Sequence, residues 1–187
     1  SKSEAYSLLK QFFASLIQKG LVEQALQLEL LLWMNLGKME DSDDYNLTYS
    51  IVNSAYAHQA TNQTPPQRIQ GDVTQIVFII HTPVFLAHVS SLFQLILNRY
   101  STATPYASTV SIVVLQPGAD QGTFEHPWKQ LGVSFIDLPI TNSFKAKLDY
   151  LADLFGASQS TKLIWVCTPY GLPYFSAKLP GVVWWSL

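Results

Sequence analysis

The chain has 187 residues, 48% of them hydrophobic and 13% charged, with a formal net charge of -2. That length suits one well-buried domain, or one domain with a small appendage, and the charged fraction is about half that of an ordinary soluble domain. A near-neutral balance with no Lys/Arg run excludes a basic nucleic-acid footprint, and a single cysteine, Cys167, excludes an intrachain disulfide.

Residues 1–60 read as a helical segment. Leu8, Leu9, Phe12, Phe13, Leu16 and Ile17 recur at spacings of three and four, and Gly20 supplies a stop. A second helix carries Leu21, Ala25, Leu28 and Leu32 on one stripe and ends at Gly37. Its apolar circumference (Leu28, Leu30, Leu31, Leu32, Trp33) predicts contact on more than one side. Asp43 or Asp44 can cap a third, shorter helix that carries Ile51, Val52, Ala55 and Tyr56. No apolar run approaches the roughly 18 residues of a membrane helix. Residues 1–20 include Glu4, Lys10 and Lys19 and read as a mature helix rather than a leader, so a cytoplasmic location is expected. Asn46-Leu47-Thr48 and Asn62-Gln63-Thr64 match the glycosylation acceptor pattern and are read as chance.

Residues 61–74, with Pro65-Pro66, form a linker, and after it the period changes. Short continuous apolar runs predict strands at 75–80, 110–115, 133–137, 162–167 and 182–186. Runs of this kind suit strands buried on both faces of a parallel sheet. Helix-compatible stretches lie between them at 84–100, 143–155 and 174–178. Thr141 or Asn142 can cap the second of these, and Pro83 suits the first turn of the first. Gly118, Gly122 and Pro127 predict a partly irregular connection over 116–132. The expected fold is α/β: a doubly wound, mostly parallel sheet of about five strands, preceded by a small helical segment. The domain reading is a helical segment at 1–60, a linker at 61–74 and a Rossmann-like domain at 75–187. The apolar ending Val183-Trp184-Trp185-Ser186-Leu187 raises the expectation of a further C-terminal domain.

In an open α/β sheet, ligands bind beyond the carboxyl ends of the strands. His81 directly follows the first strand, where an imidazole can exchange a proton or fix a ligand oxygen. It can equally be a histidine that only bonds loop backbone. His88 lies about two helical turns further on, facing either the cleft or an ordinary surface. Thr168-Pro169-Tyr170-Gly171 follows the fourth strand, and its two hydroxyls and its glycine can line a polar pocket or form a plain turn. Cys167 reads as a small hydrophobe. No His, Cys or carboxylate cluster has metal-ligand spacing, so no metal is expected. The loop His81-Thr82-Pro83-Val84-Phe85 is not Gly-x-Gly-x-x-Gly, and neither a phosphate-binding loop nor a nucleophile elbow occurs, so no cofactor is expected.

Gly20-Leu21-Val22-Glu23-Gln24-Ala25-Leu26 is similar to the start of a helix in helical-repeat proteins. Ile79-Ile80-His81, Ala87-His88, Trp165 to Gly171 and Trp184-Trp185-Ser186 follow it in an order that resembles the N-terminal half of a GT-B type glycosyltransferase. The similarity is to the bacterial kind with a helical, repeat-like N-terminal segment. The glycine-rich first loop of that family is reduced here to His81-Thr82-Pro83. The resemblance implies a cleft for a peptide or glycan acceptor, with a nucleotide-sugar donor held by a second half beyond Leu187. It implies His81 as base or orienting group and His88, Thr168, Tyr170 and Gly171 as substrate contacts, with the half inactive alone. The alternative is a non-catalytic interaction or scaffold module, suggested by the low charge and the apolar second helix.

Overall fold

A computed structural model describes residues 2–36, 42–60, 73–83, 109–118, 121–130, 132–166 and 168–185. The chain forms two compact units. One comprises residues 67–140, 153–168 and 181–187, the other residues 1–66, 141–152 and 169–180.

The first unit holds the sheet. Its strands are β1 (Gln75–Ile80), β2 (Thr109–Val114), β3 (Ser134–Phe135), β4 (Thr161–Val166) and β5 (Val183–Trp185), in the order β3-β2-β1-β4-β5. All four pairings are parallel, with Phe78 opposite Ile112 on one side and Ile164 on the other. The fold is therefore the doubly wound, parallel α/β arrangement, with helices flanking the sheet. β-Branched and aromatic residues explain the central strands, because they fit a pleated surface buried on both faces. In β1, Ile76 to Ile80 are all buried. One face gathers Ile76, Phe78, Ile80, Val110, Ile112 and Val114 into a core closed by Trp128.

Trp128 belongs to α4 (Gln121–Gln130), a ten-residue helix where glycines and Pro127 predict partial irregularity. Pro127 removes one backbone donor. Burial of Trp128 and a Lys129–Glu125 ion pair one turn apart keep the turn intact around it. β3 is much shorter than the predicted 133–137. The Ile136 amide still donates to Ile112, but Asp137 is exposed and Pro139 has no amide to offer, so the chain leaves the sheet edge there. The predicted helix at 84–100 lies outside the described residues.

At the amino end of the strands a chain of side-chain hydrogen bonds crosses the sheet. Ser158 and Thr161 share one at 2.6 Å, and Thr161 donates to Gln75 Oε1. Gln75 Nε2 then donates to Ser111, whose hydroxyl meets Ser134 at 2.7 Å. The relay ties β4, β1, β2 and β3 together.

The second unit is helical. It contains α1 (Lys2–Gln18), α2 (Val22–Leu36), α3 (Ser42–Ala60), the first part of α5 (Phe144–Gly156) and α6 (Leu172–Lys178). α1 ends in a Schellman turn: the Gly20 amide donates to Ile17, the Leu21 amide to Leu16, and Gly20 takes φ 72°. α3 packs against both α1 and α6. It starts at Ser42, nine residues before the predicted apolar run, so Asp43 and Asp44 lie within its first turn instead of capping it. The predicted stripe of α1 is wider than the face it buries: Phe13 and Ile17 are buried, while Leu8 and Phe12 remain exposed.

The amino terminus of α5 is capped differently from the sequence expectation. Ser143 is the local cap, its hydroxyl accepting from the Ala146 amide, and Thr141 only supports it by accepting from the Ser143 amide. The Glu23 carboxylate, carried by α2, accepts from the Phe144 and Lys145 amides at 3.0 and 3.1 Å and from the Ser143 hydroxyl at 2.8 Å. A carboxylate suits this position because a helix start presents unpaired N–H groups and the positive end of its dipole.

Candidate functional site

Strand order reverses between β1 and β4, since β2 and β3 extend from one side of β1 and β4 and β5 from the other. Ligands of doubly wound sheets bind beyond the carboxyl ends of the strands at such a point. Two of the sequence candidates, His81 and Thr168, leave the sheet here.

His81 follows Ile80 without an intervening residue and is 3% exposed. The parallel ladder continues past the strand ends: the Leu115 amide donates to Ile80 and the Gln116 amide to the His81 carbonyl at 2.7 Å. The His81 backbone is thus held by β2. Its ring stands edge-on to Trp165 of β4, with centroids 5.7 Å apart and planes at 67°. Trp165 is fully buried, and its indole N–H donates to the Thr168 carbonyl at 2.9 Å. One tryptophan therefore fixes the imidazole on one side and the loop after β4 on the other. Thr82, Pro83 and Thr168 are half-buried. His88 and Cys167 lie outside the described residues.

Tyr170 and Gly171 belong to the helical unit. Tyr170 is buried and stacks on Phe144, with centroids 4.4 Å apart and planes at 12°. Burial, and then the charges of Glu29 and Glu23, push its hydroxyl above the ordinary phenol range, so it is a neutral group. Gly171 takes φ 79°, and a Cβ there would come within 2.7 Å of Phe144 and 3.1 Å of Leu148. Its amide donates to Glu29 Oε1 at 2.8 Å.

Glu29 is the residue that the sequence reading passes over. It is completely buried on α2. Oε1 accepts from Gly171 and from the Trp33 indole at 3.1 Å, and Oε2 has no hydrogen-bond partner among the described residues. Burial raises its carboxyl to about 8, although the bonds from Trp33 and Gly171 pull the other way. A signal for it does exist in the sequence. Val22, Ala25, Leu26, Glu29 and Trp33 share one helical face, and a lone carboxylate on an otherwise apolar stripe is the anomaly to look for.

Among the described residues no group of three or more His, Cys, Asp or Glu side chains could hold a metal ion, and no helix is long and apolar enough to cross a membrane. No protein-family model, no curated protein and no solved structure matches the chain. The fold is Rossmann-like, a parallel arrangement common to many nucleotide-binding enzymes, GT-B-like enzymes and scaffolds.

Proposed function

We propose that the sheet unit is the acceptor-side half of a glycosyltransferase of the GT-B type. The observation that supports it is the position of His81, buried at the point where strand order reverses, edge-on to Trp165 and followed by the half-buried Thr82 and Pro83. In this reading the imidazole takes the proton from an acceptor hydroxyl. The acceptor oxygen bonds to the anomeric carbon of the sugar as the bond to the nucleotide diphosphate breaks. Thr168, and His88 on the segment after β1, serve as acceptor contacts. The donor is held by a second α/β half, which this reading requires.

Calorimetric titration of nucleotide-sugars into the intact protein, followed by turnover of the His81→Ala variant, tests the proposal. Binding in the wild type with turnover reduced about a hundredfold or more in a variant that remains folded is the expected result. Undiminished turnover in the variant removes His81 from the chemistry. No nucleotide-sugar binding at millimolar ligand overturns the transfer reading as a whole.

An interaction module is the second reading, favoured by a separate observation. Leu8, Phe12, Leu31 and Met34 of α1 and α2 are each more than half exposed. Several large apolar side chains in solvent are what a contact surface presents.

A further inference from the structure

Beyond the ends of β1, β2, β3 and β4 the sheet unit presents its carboxyl edge through His81 to Pro83, Gln116 to Gly118, Asp137 to Ile140, and Thr168. A ligand with phosphate or carboxylate groups needs two kinds of partner at such an edge. Lys or Arg supply charge, and bare backbone N–H groups supply a cradle. This edge is poor in both.

The Lys and Arg residues of the sheet unit are Arg68, Arg99, Lys129 and Lys162. Arg68 and Arg99 lie outside the described residues. Lys162 is the second residue of β4, level with Ile76 of β1, so it belongs to the amino half of the sheet. Lys129 stands at the last turn of α4 and is paired with Glu125. Among the described residues the strand-end segments carry no Lys or Arg, and their titratable groups are the buried His81 and the exposed Asp137. Pro83, Pro117 and Pro139 each stand in one of these segments, and none has an N–H to offer. The amides of Leu115 and Gln116 are already given to the Ile80 and His81 carbonyls.

What the edge does present is hydroxyl and apolar surface. Thr82 and Thr168 are half-buried, Pro117 and Pro139 are exposed, and Ile140 stands wholly in solvent. Hydroxyls both donate to and accept from the hydroxyls of a sugar, and the C–H face of a pyranose suits proline and isoleucine. An anion at the same place gives up hydration for no counter-charge, and Asp137 repels it.

We propose that the carboxyl edge of the sheet takes an uncharged, hydroxyl-rich ligand, a neutral saccharide, and discriminates against phosphorylated ones. The class of ligand follows from the edge, and its role as acceptor rests on the transfer reading above. The same shortage of cations and amides leaves the donor diphosphate to the second half that the transfer reading requires.

NMR titration of the intact protein with cellobiose, lactose and maltose, and with the 6′-phosphate of each, tests it. The amides of Thr82, Ile140 and Thr168 report on the edge, and that of Thr109, at the amino end of β2, serves as reference. At least one neutral disaccharide shifts the edge amides and leaves Thr109 in place, and its phosphate binds at least tenfold more weakly. Ile140→Lys, at a wholly exposed position, adds one ammonium to the edge: the phosphate then binds severalfold more tightly than to the wild type, and added salt cancels the gain. Equal or tighter binding of the phosphates by the wild type overturns the proposal. So does the lack of any shift with the neutral sugars at tens of millimolar, or an Ile140→Lys variant that treats the phosphates as the wild type does. The nucleotide-sugar titration stays separate. Neutral-sugar binding without nucleotide-sugar binding keeps this inference and removes the transfer reading, and preference for the phosphates in a protein that binds nucleotide-sugar does the reverse.

Discussion

Two polar constellations in this protein, one part-buried and one fully buried, are built on opposite plans. Across the amino ends of the strands, Ser158, Thr161, Gln75, Ser111 and Ser134 form an uncharged chain in which each side chain meets its neighbour. In the helical unit, Glu29 places an ionisable group near several tyrosines, and among the described residues one of its oxygens and the Tyr56 hydroxyl have no hydrogen-bond partner. A fully satisfied network rigidifies, whereas a partly satisfied one keeps an energetic demand that solvent or protons can answer. The first arrangement therefore acts as scaffold and the second responds to conditions. The difference follows from the choice of neutral amides and hydroxyls in one place and a carboxyl in the other.

The strongest way to break the helical constellation is through its backbone partner. Gly171→Ala forces a side chain into the left-handed region, at roughly 1–2 kcal/mol. It also drives Cβ to within 2.7 Å of Phe144, in a region where overpacking adds about 1–3 kcal/mol. Urea unfolding of the variant is expected to show a loss of about 2–4 kcal/mol. A loss below about 1 kcal/mol would mean that the loop yields easily and that Glu29 holds nothing rigid.

The proton itself is a second handle on this constellation. Glu29 is raised from 4.5 to about 8 in the folded protein. Between those values the folded state keeps a proton that the unfolded state releases. Its contribution to stability is therefore complete below pH 4.5, declines as pH rises towards about 8, and is level above that. The slope approaches about 1.4 kcal/mol per pH unit in the middle of this window. Glu29→Gln removes it, so the difference in unfolding free energy between variant and wild type should shift in favour of the variant from pH 5 to 8 and then stop changing. Parallel curves for the two proteins across that range would show that Glu29 ionises as an ordinary surface carboxyl.

Much of the sheet was legible because its strands are read from a local property. Ile76 to Ile80 and Leu163 to Val166 are apolar runs of strand length, and both fall in strands. The place of His81, directly after β1, follows from the same reading. What escaped depends on partners distant in sequence. The second, long-range cap of α5 is Glu23, 120 residues upstream of Ser143, and no window around residue 143 contains it. Gly171 reads as an ordinary turn glycine until Phe144 and Leu148 are seen against it. The hydrophobicity of Val133 to Leu138 predicts a longer β3 than forms, because Asp137 and Pro139 decide where hydrogen bonding stops. Glu29 is inconspicuous in the sequence because it lies inside the leucine-rich run Gln27-Leu28-Glu29-Leu30-Leu31-Leu32, and only the helical face it shares with Ala25, Leu26 and Trp33 sets it apart.

The smallest effect is expected at the sheet's amino end, and it sharpens the contrast from the other side. Gln75→Met keeps most of the side-chain volume and removes both hydrogen bonds in the middle of the relay. Thr161 still has Ser158, and Ser111 still has Ser134, so no hydroxyl is stranded by the change. Loss of hydrogen bonds whose partners remain satisfied costs about 1 kcal/mol in total, because the severe penalty attaches to groups left buried and unpaired. None of the relay's members ionises between pH 5 and 9, so chemical denaturation at several pH values should return the same small difference throughout. A loss of 3 kcal/mol or more, or one that changed with pH, would show that the relay is coupled to a titrating group and that satisfaction alone does not separate the two constellations.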